Sequence, residues 1–240
     1  MIYARILLYL SLAASFVFLI SGYGYQWNFW SLGMGFTLLR YGAYASIGLA
    51  AISLLSIWFL RKSRARAIAY AVVSLIFTGI VSVTALYWQQ QAGSVPPIHD
   101  ITTDMNTPPE FFALVRLRAD APNPPEYAGA ETAQLQREYY PNVEPLILET
   151  DLQEAMDAAV MLIVRRGWEI VSVNRKDGRI EATEKLPWFG FKDDVVLRFT
   201  DLEEGGTRVD MRSKSRVGRG DVGVNASRIE RFLRDLEMRT

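Results

Sequence analysis

The sequence has no cysteine, a single histidine, and no acidic residue in its first 99 positions. The first absence excludes disulfides, thiolate metal ligands and cysteine nucleophiles. The second leaves His99 alone, so a multi-histidine zinc site within one chain is excluded and any metal would need oxygen ligands. No metal site and no cofactor is expected. The third absence divides the chain. Residues 1–99 carry six formal charges, all basic (Arg5, Arg40, Arg61, Lys62, Arg64 and Arg66), which leaves 20 basic and 26 acidic residues in the remainder. The net charge of zero is therefore a basic part cancelled by a mildly acidic one. Without a basic patch to neutralise phosphates, nucleic acid is not an expected partner.

Charge of either sign is missing from 6–39, 41–60 and 67–98, and crossing a bilayer takes roughly 20 apolar residues. Three spans are predicted, at 6–24, 36–60 and 67–88, with Trp27, Trp30, Trp58 and Trp88 near their ends, where indole rings favour the headgroup level. No small-x-small cleavage site follows the first run cleanly, so it reads as a span and not as a signal peptide. The lipid bilayer is the first expected partner. Arg61, Lys62, Arg64 and Arg66 fill the loop between the second and third spans, which assigns that loop, and the N-terminus with Arg5, to the cytoplasm. Three crossings then carry the C-terminal domain to the periplasmic side of a bacterial inner membrane. Arg40 is the exception and can snorkel to the outer interface. No acidic residue or histidine lies within a span, which argues against transport. Gly42, Ser46 and Ala50 form a small-residue stripe that suits packing within the bundle.

The expected organisation is a membrane domain over 1–92, a linker and proline-rich arm over 93–149, and an α+β core over 150–240. Gln89 to Ser94 leave the membrane as a tether, and Pro96-Pro97 begin an extended path. Nine of the ten prolines fall between Pro96 and Pro145, so the arm is predicted to be turns and extended segments, with a short strand over 111–117. Phe111, Phe112, Tyr127, Tyr139 and Tyr140 are aromatic anchors for wrapping it onto a scaffold.

In the core, Thr150 precedes Gln153 as an N-cap, and Leu152, Met156, Ala159, Val160 and Ile163 follow helical spacing up to Gly167. Strands are predicted at 168–173 and 179–185 about Lys176-Asp177-Gly178, then at 194–202 and 207–215. Matching Val195, Leu197 and Phe199 to Val209 and Met211 sets Glu203 opposite Thr207 and Arg198 opposite Arg212. A last helix over 224–237 carries Ile229, Phe232, Leu233 and Leu236. The fold class is an α+β soluble domain (helix, four-stranded antiparallel meander, helix) preceded by three transmembrane helices, with both helices on one face of the sheet.

Candidate chemistry concentrates between Ser213 and Arg228. Three glycines ahead of a helix N-terminus suit an anion, but the segment matches neither nucleotide-binding glycine pattern. The competing reading is a tight connection with Asp221 or Asn225 as N-cap. Asn225, four residues before Ile229, faces the sheet with Ser213 and Ser215, and buried polar groups need partners. On the other face Arg198, Arg212 and Lys214 gather beside Asp210, and like charges set opposite one another need neutralising. Carboxylates of the arm, such as Asp100 or Asp104, compete for that role with a small anionic ligand. The candidate ligand set is Arg198, Arg212, Ser213, Ser215, Arg216, Asp221, Asn225 and Arg228, with Asp100, Asp104 and Asp194 as acidic partners. No catalytic residue is assigned: His99 reads as a loop residue and there is no Gly-x-Ser-x-Gly elbow. Asp193-Asp194 read as the start of a strand in preference to a cation site.

Pro96-Pro97-Ile98-His99-Asp100-Ile101-Thr102-Thr103-Asp104, Gly167-Trp168, Ile180-Glu181-Ala182-Thr183, Asp193-Asp194-Val195-Val196 and Val209 to Arg216, followed by Gly218, Asp221, Gly223, Asn225 and Arg228, occur in this order. Together they resemble the domain-of-unknown-function family numbered 1499, over nearly all of 95–238. The resemblance implies a membrane-tethered or exported protein of bacteria or plastids and implies no activity. Met211 and Lys214 stand where that family usually has small residues. The expected function is binding of a membrane or periplasmic protein, or of a small anionic ligand, near Arg212 to Arg228. The alternatives are a carboxylate-dependent, hydrolase-like envelope enzyme using Asp100, Asp104 and Asp194, and a structural or assembly factor of a membrane complex. An enzyme requires acidic side chains converging in a cleft, and a binding module requires an open basic or apolar patch.

Overall fold

The computed structural model describes residues 2–61 and 65–240, so Lys62 and Arg64 of the predicted cytoplasmic loop lie outside the described residues. The chain divides into two compact units, 1–93 with 187–190, and 94–186 with 191–240.

The first unit contains α1 (Ile2–Gln26), α2 (Leu32–Leu60) and α3 (Ala65–Ser94), each long and apolar enough to cross a membrane. Small residues let α1 and α2 approach. A Cβ on Gly42 would lie 2.9 Å from the backbone nitrogen of Phe18, so the Gly42 stripe serves packing within the bundle, with Ser46 fully buried. Seam hydroxyls on α2 and α3 donate to the carbonyl four residues back, as Thr78 does to Ser74 (2.7 Å) and Ser82 to Thr78 (2.7 Å). This satisfies those hydroxyls where no water is available, whereas the buried Ser46 hydroxyl has no hydrogen-bond partner among the described residues. The Arg5 guanidinium lies 5.9 Å from the Tyr70 ring centre, bringing the first turns of α1 and α3 to one end of the bundle. At the other end of α1, Trp188 stacks obliquely on Phe18 (5.2 Å) and donates to the Leu19 carbonyl (2.8 Å). Phe189 stacks on Phe36 (5.3 Å). Gly22 leaves the room for this, since a Cβ there would lie 2.5 Å from the Trp188 ring.

α3 runs through Gln89 to Ser94, the residues expected to leave the membrane as a tether. Glutamine and alanine sustain a helix well, and the helix stops only before Pro96-Pro97, whose rings disfavour helical backbone in the preceding residue.

The second unit has the predicted α+β fold class. α6 (Leu152–Arg165) is capped by Asp151, whose carboxylate accepts from the Gln153 and Glu154 backbone nitrogens (2.9 Å each); Thr150, the expected cap, lies one residue outside. Then come β3 (Glu169–Asn174), β4 (Arg179–Lys185), β5 (Lys192–Asp201), β6 (Thr207–Ser215) and α7 (Val224–Glu237). The arm extends this meander with β1 (Asp100–Thr102) and β2 (Leu146–Leu148), both antiparallel to β6, giving the order β1-β6-β5-β4-β3 with β2 also on β6. It also contains α4 (Leu114–Leu117), where a strand was expected, and α5 (Ala130–Tyr139), which the sequence reading missed.

α6 and α7 cover one face. Met156, Ala159 and Ile163 of α6 and Ile229 and Phe232 of α7 are fully buried with Ile180, Val195, Leu197, Val209 and Met211 of the sheet. The β5–β6 register differs from the expected one by two residues: Asp201 pairs with Thr207, and Arg198 faces Asp210 while Val196 faces Arg212. A shift of two leaves every side chain on its predicted face, so hydrophobic alternation cannot detect it. The cross-strand charges do distinguish the two registers, because the observed one replaces an arginine pair with an ion pair.

Candidate functional site

The sheet's second face carries Glu181, Thr183, Asp194, Arg198, Asp210, Arg212 and Lys214, a set expected on a surface open to water. Of these, all but Arg198 are buried. The cover is the proline-rich arm, and its composition explains how it can cover charge. Proline supplies a carbonyl acceptor without an N–H donor, so a proline-rich backbone presents an excess of acceptors to a cationic surface.

Asp100 of β1, fully buried, accepts from Arg212 Nε (2.8 Å) and Nη2 (2.9 Å), approaches Lys214 Nζ (3.0 Å) and accepts from the Ala128 backbone nitrogen (3.0 Å). Arg212 completes its donors on the carbonyls of Pro109 (3.2 Å) and Pro125 (3.0 Å), with its guanidinium over the rings of Phe111 and Tyr127. Lys214 donates to the Glu126 carbonyl. Burial pushes the Lys214 ammonium below its usual pKa, against the opposing attraction of Asp100. Burial likewise raises the Tyr127 phenol to about 12, helped by Asp100, and its buried hydroxyl has no hydrogen-bond partner among the described residues.

A second carboxylate, Asp194 of β5, accepts from Arg118 Nη1 (2.7 Å), Arg216 Nε (2.8 Å) and Nη2 (2.8 Å), and Thr183 Oγ1 (2.7 Å). The Arg118–Asp194 pair has no exposed side-chain surface on either partner. Arg118 also donates to the carbonyls of Asn123 (2.9 Å) and Ser215 (3.2 Å). Its pKa is lowered chiefly by burial and held up by Asp194. Arg118, Arg212, Lys214 and Arg216 thus share two carboxylates, and the missing negative charge is supplied as oriented carbonyl dipoles of the arm.

At one end of this face Asp104 and Asp210 both accept from Arg198 Nη2 (2.9 Å each). Burial raises the Asp104 carboxyl, but the Thr107 and Asn106 backbone donors and Arg198 outweigh it and hold the group below its usual pKa. On β4, opposite Val196, Glu181 accepts from the backbone nitrogens of Phe112 (3.1 Å), Ala113 (3.0 Å) and Leu114 (2.9 Å), the open end of α4. A carboxylate there complements the unsatisfied donors that begin a helical turn. Phe111 and Leu114 pack on Val196. Phe112, Val115 and Leu117 remain 55 %, 41 % and 51 % exposed, with the Arg179 guanidinium 3.9 Å from the Phe112 ring centre.

The remaining candidates lie across the sheet. Asn225 accepts from Ser213 Oγ (2.6 Å) and donates to Ser215 Oγ (3.0 Å) and the His99 carbonyl (3.1 Å). Arg228 binds Asp193 (2.6 Å), Glu184 and Ser213. Although burial lowers the Arg228 pKa, Asp193 and Glu184 raise it further, so the guanidinium sits above its usual value. Asp221 accepts from the Gly223 (2.9 Å) and Asn225 (2.7 Å) backbone nitrogens. It thereby fills from within the anion position at the start of α7, where Gly223 is the N-cap residue in left-handed backbone. Burial raises the Asp221 carboxyl.

The eight candidate ligand residues therefore form two groups on opposite faces. Arg198, Arg212 and Arg216 meet Asp100, Asp104 and Asp194 under the arm, whereas Ser213, Ser215, Asp221, Asn225 and Arg228 meet at the start of α7. Sequence reasoning missed Arg118, Glu181 and Asp193 as members of these clusters. Arg118 follows a short apolar turn in a loop, and no local pattern marks it as buried.

The sequence pattern of the family described as protein of unknown function (DUF1499) matches residues 100–236. This chain belongs to that family. Among curated proteins, no sequence matches it. The matched segment of this DUF1499 protein opens on Asp100, the arm carboxylate that binds Arg212 and Lys214, and closes within α7. It spans both polar clusters. Met211 and Lys214 are buried, Met211 in the helix-side core and Lys214 in the ion network.

Proposed function

We propose that this DUF1499 protein is an inner-membrane-anchored periplasmic domain whose task is to bind another protein, without catalysis of its own. The observation that carries the reading is the use made of the ion network. It locks α4 against the sheet through Arg118–Asp194, Glu181 and the Phe111–Leu114–Val196 cluster, and holds Phe112, Val115 and Leu117 outward on a pinned turn. An aromatic side chain beside an arginine is of the kind enriched at protein interfaces, and Val115 and Leu117 extend the exposed apolar surface next to it. Rigid presentation lowers the ordering cost of association.

The small-anion reading of Arg212 to Arg228 is weaker, because the donors of these residues are engaged by the chain's own carboxylates and carbonyls. The hydrolase-like reading meets the same difficulty at Asp100 and Asp194, each already bound to two cations. The periplasmic side rests on the basic residues at the α2–α3 end, of which Arg61 and Arg66 are described. A role in assembling a membrane complex is one form of the same binding activity.

The test introduces a photo-crosslinkable residue in place of Phe112, Val115 or Leu117 in the full chain within membranes, with position 153 on α6 as control. The expected result is one protein joined from the α4 positions and not from the control, and lost on Val115→Asp. Equal labelling from all positions would sink the reading. A rise in the melting temperature of the full chain with inorganic phosphate or phosphorylated metabolites, absent in Arg212→Ala, would replace it with the anion reading.

A further inference from the structure

The β4–β5 hairpin sets like charges opposite each other at three places: Arg179 faces Arg198, Glu184 faces Asp193, and Lys185 faces Lys192. Such pairs are destabilising unless something neutralises them. The first is neutralised by Glu181 beside Arg179 (3.5 Å) and by Asp104 and Asp210 on Arg198 (2.9 Å each). Arg228 bridges the second by binding both carboxylates. The third has no such provision. Lys185 and Lys192 are exposed, and neither ammonium has an ion pair or hydrogen bond among the described residues. Alternation along the strands directs both to the arm face, away from Glu184 and Asp193. On that face the chain leaving β6 adds another cation, since Arg216 donates its backbone nitrogen to the Lys192 carbonyl (3.0 Å). Asp194, the neighbouring carboxylate, is already filled by Arg118 and Arg216.

The position of this pair in the chain indicates what neutralises it. Two residues beyond Lys185 and two before Lys192, the loop 187–190 folds with the membrane unit. Trp188 donates to the Leu19 carbonyl (2.8 Å), and the Pro187 carbonyl accepts from Gln26 Nε2 (3.0 Å), so the loop lies along the last two turns of α1. The end of a bilayer-spanning helix lies at the headgroup level, where indole rings are favoured. An extended chain covers at most about 3.6 Å per residue, so each lysine Cα lies within about 7 Å of the end of this loop, and a lysine stem carries its ammonium further toward phosphate. We infer that Lys185 and Lys192 form a binding site for the phosphate of anionic phospholipid headgroups, which neutralises the pair and ties the β4–β5 hairpin to the bilayer surface. Of the anions that could serve, a lipid phosphate is the one that the loop's place on α1 holds at high local concentration, and basic residues at an anionic membrane surface are attracted to it. The site depends on α1–α3 spanning the bilayer and not on the α4 surface.

The test follows the thermal transition of the full chain in phosphatidylcholine vesicles and in vesicles that also contain phosphatidylglycerol. Binding to the folded state stabilises it by mass action, so the wild-type chain is expected to melt a few degrees higher with phosphatidylglycerol. Lys185→Gln or Lys192→Gln should lose about half of that gain and the double variant nearly all of it, while Lys176→Gln, in the turn at the far end of β4, keeps it. In phosphatidylcholine alone the double variant should melt no lower than wild type, because a like-charge pair has been removed. A lower transition there would give the lysines a role in the fold and overturn the site. A double variant with the wild-type gain overturns it too, as does a wild-type chain that shows no gain yet resists alkaline extraction from the vesicles. An equal rise with inorganic phosphate in phosphatidylcholine, lost in the double variant, would replace the lipid with a soluble anion. Release of the chain by alkaline extraction would overturn the membrane reading, and the site with it.

Discussion

The two faces of this sheet are both buried, yet they are held by opposite chemistry. Toward α6 and α7, Val195, Leu197, Val209 and Met211 are removed from water among other apolar side chains. Toward the arm, Asp194, Asp210, Arg212 and Lys214, on the same two strands, are removed from water among partners of opposite charge and backbone carbonyls. The apolar face gains from burial itself, at about 25 cal/mol per Å². The charged face gains little net stability, because desolvation opposes attraction. What it supplies is register and position. An arginine with five directed donors accepts few arrangements of its neighbours, so the arm, poor in regular structure, takes one path.

The sharpest way to break this comparison is to remove one carboxylate. Asp194→Ala leaves Arg118 and Arg216 buried and uncompensated, and is expected to cost about 3–5 kcal/mol, read from chemical denaturation of the full chain. A loss below about 1 kcal/mol would mean that water reaches the cluster. On the opposite face of the same strand, Leu197→Ala should cost about 2–5 kcal/mol through lost transfer energy and a residual cavity. The two variants should differ in their repair. Replacing the cations as well, as in Asp194→Leu with Arg118→Met and Arg216→Met, is expected to recover most of the first loss, since apolar substitutes of similar volume often match buried ion pairs. No surface charge change should repair the second.

Alkaline titration probes both faces at once. Tyr127 lies against Arg212 under the arm and Tyr140 packs on the helix-side core, and burial raises each to about 12 from the ordinary 10.0. The unfolded chain releases these protons near 10 while the folded chain keeps them, so the contribution of both phenols to stability declines as pH rises from about 10 to 12. Lys214 acts with the opposite sign: its folded pKa lies below 10.5, so its contribution rises with pH up to that value. Phenolate absorbance should show two late-ionising tyrosines, with one removed by Tyr127→Phe and the other by Tyr140→Phe. Early ionisation of both would count against their burial.

The smallest expected effect is that of Tyr127→Phe at neutral pH. The hydroxyl is buried without a hydrogen-bond partner among the described residues, so removing it should be neutral or stabilise by about 1 kcal/mol. A clear loss would show that the phenol makes a hydrogen bond through bound water.

The elements that were legible before any coordinates are those with local periodicity. Runs of uncharged residues predicted the three long helices, spacing of Met156, Ala159 and Ile163 predicted α6, and the α7 boundaries agree with the observed Val224–Glu237. Two-residue alternation assigned Val195, Leu197, Val209 and Met211 to the core and the intervening charges to the other face. Asp100 and Asp104 were among the carboxylates weighed as neutralisers of that face, because unpaired like charges demand them.

Other features depended on contacts between residues far apart in sequence. Alternation is blind to a register shift of two, so the Arg198–Asp210 pairing emerged only when the hairpin closed. The sheet separates Ser213 from Arg212 although they are neighbours in the chain, so a single candidate site read from consecutive residues became two. Arg118, 76 positions from Asp194, had no local signal of its burial. Sequence alone determined which surfaces were apolar, which were charged and where helices could start and stop, since these follow from each residue and its near neighbours. Only the tertiary structure decided which charge meets which, because that depends on where a chain of prolines and turns is brought back across the sheet.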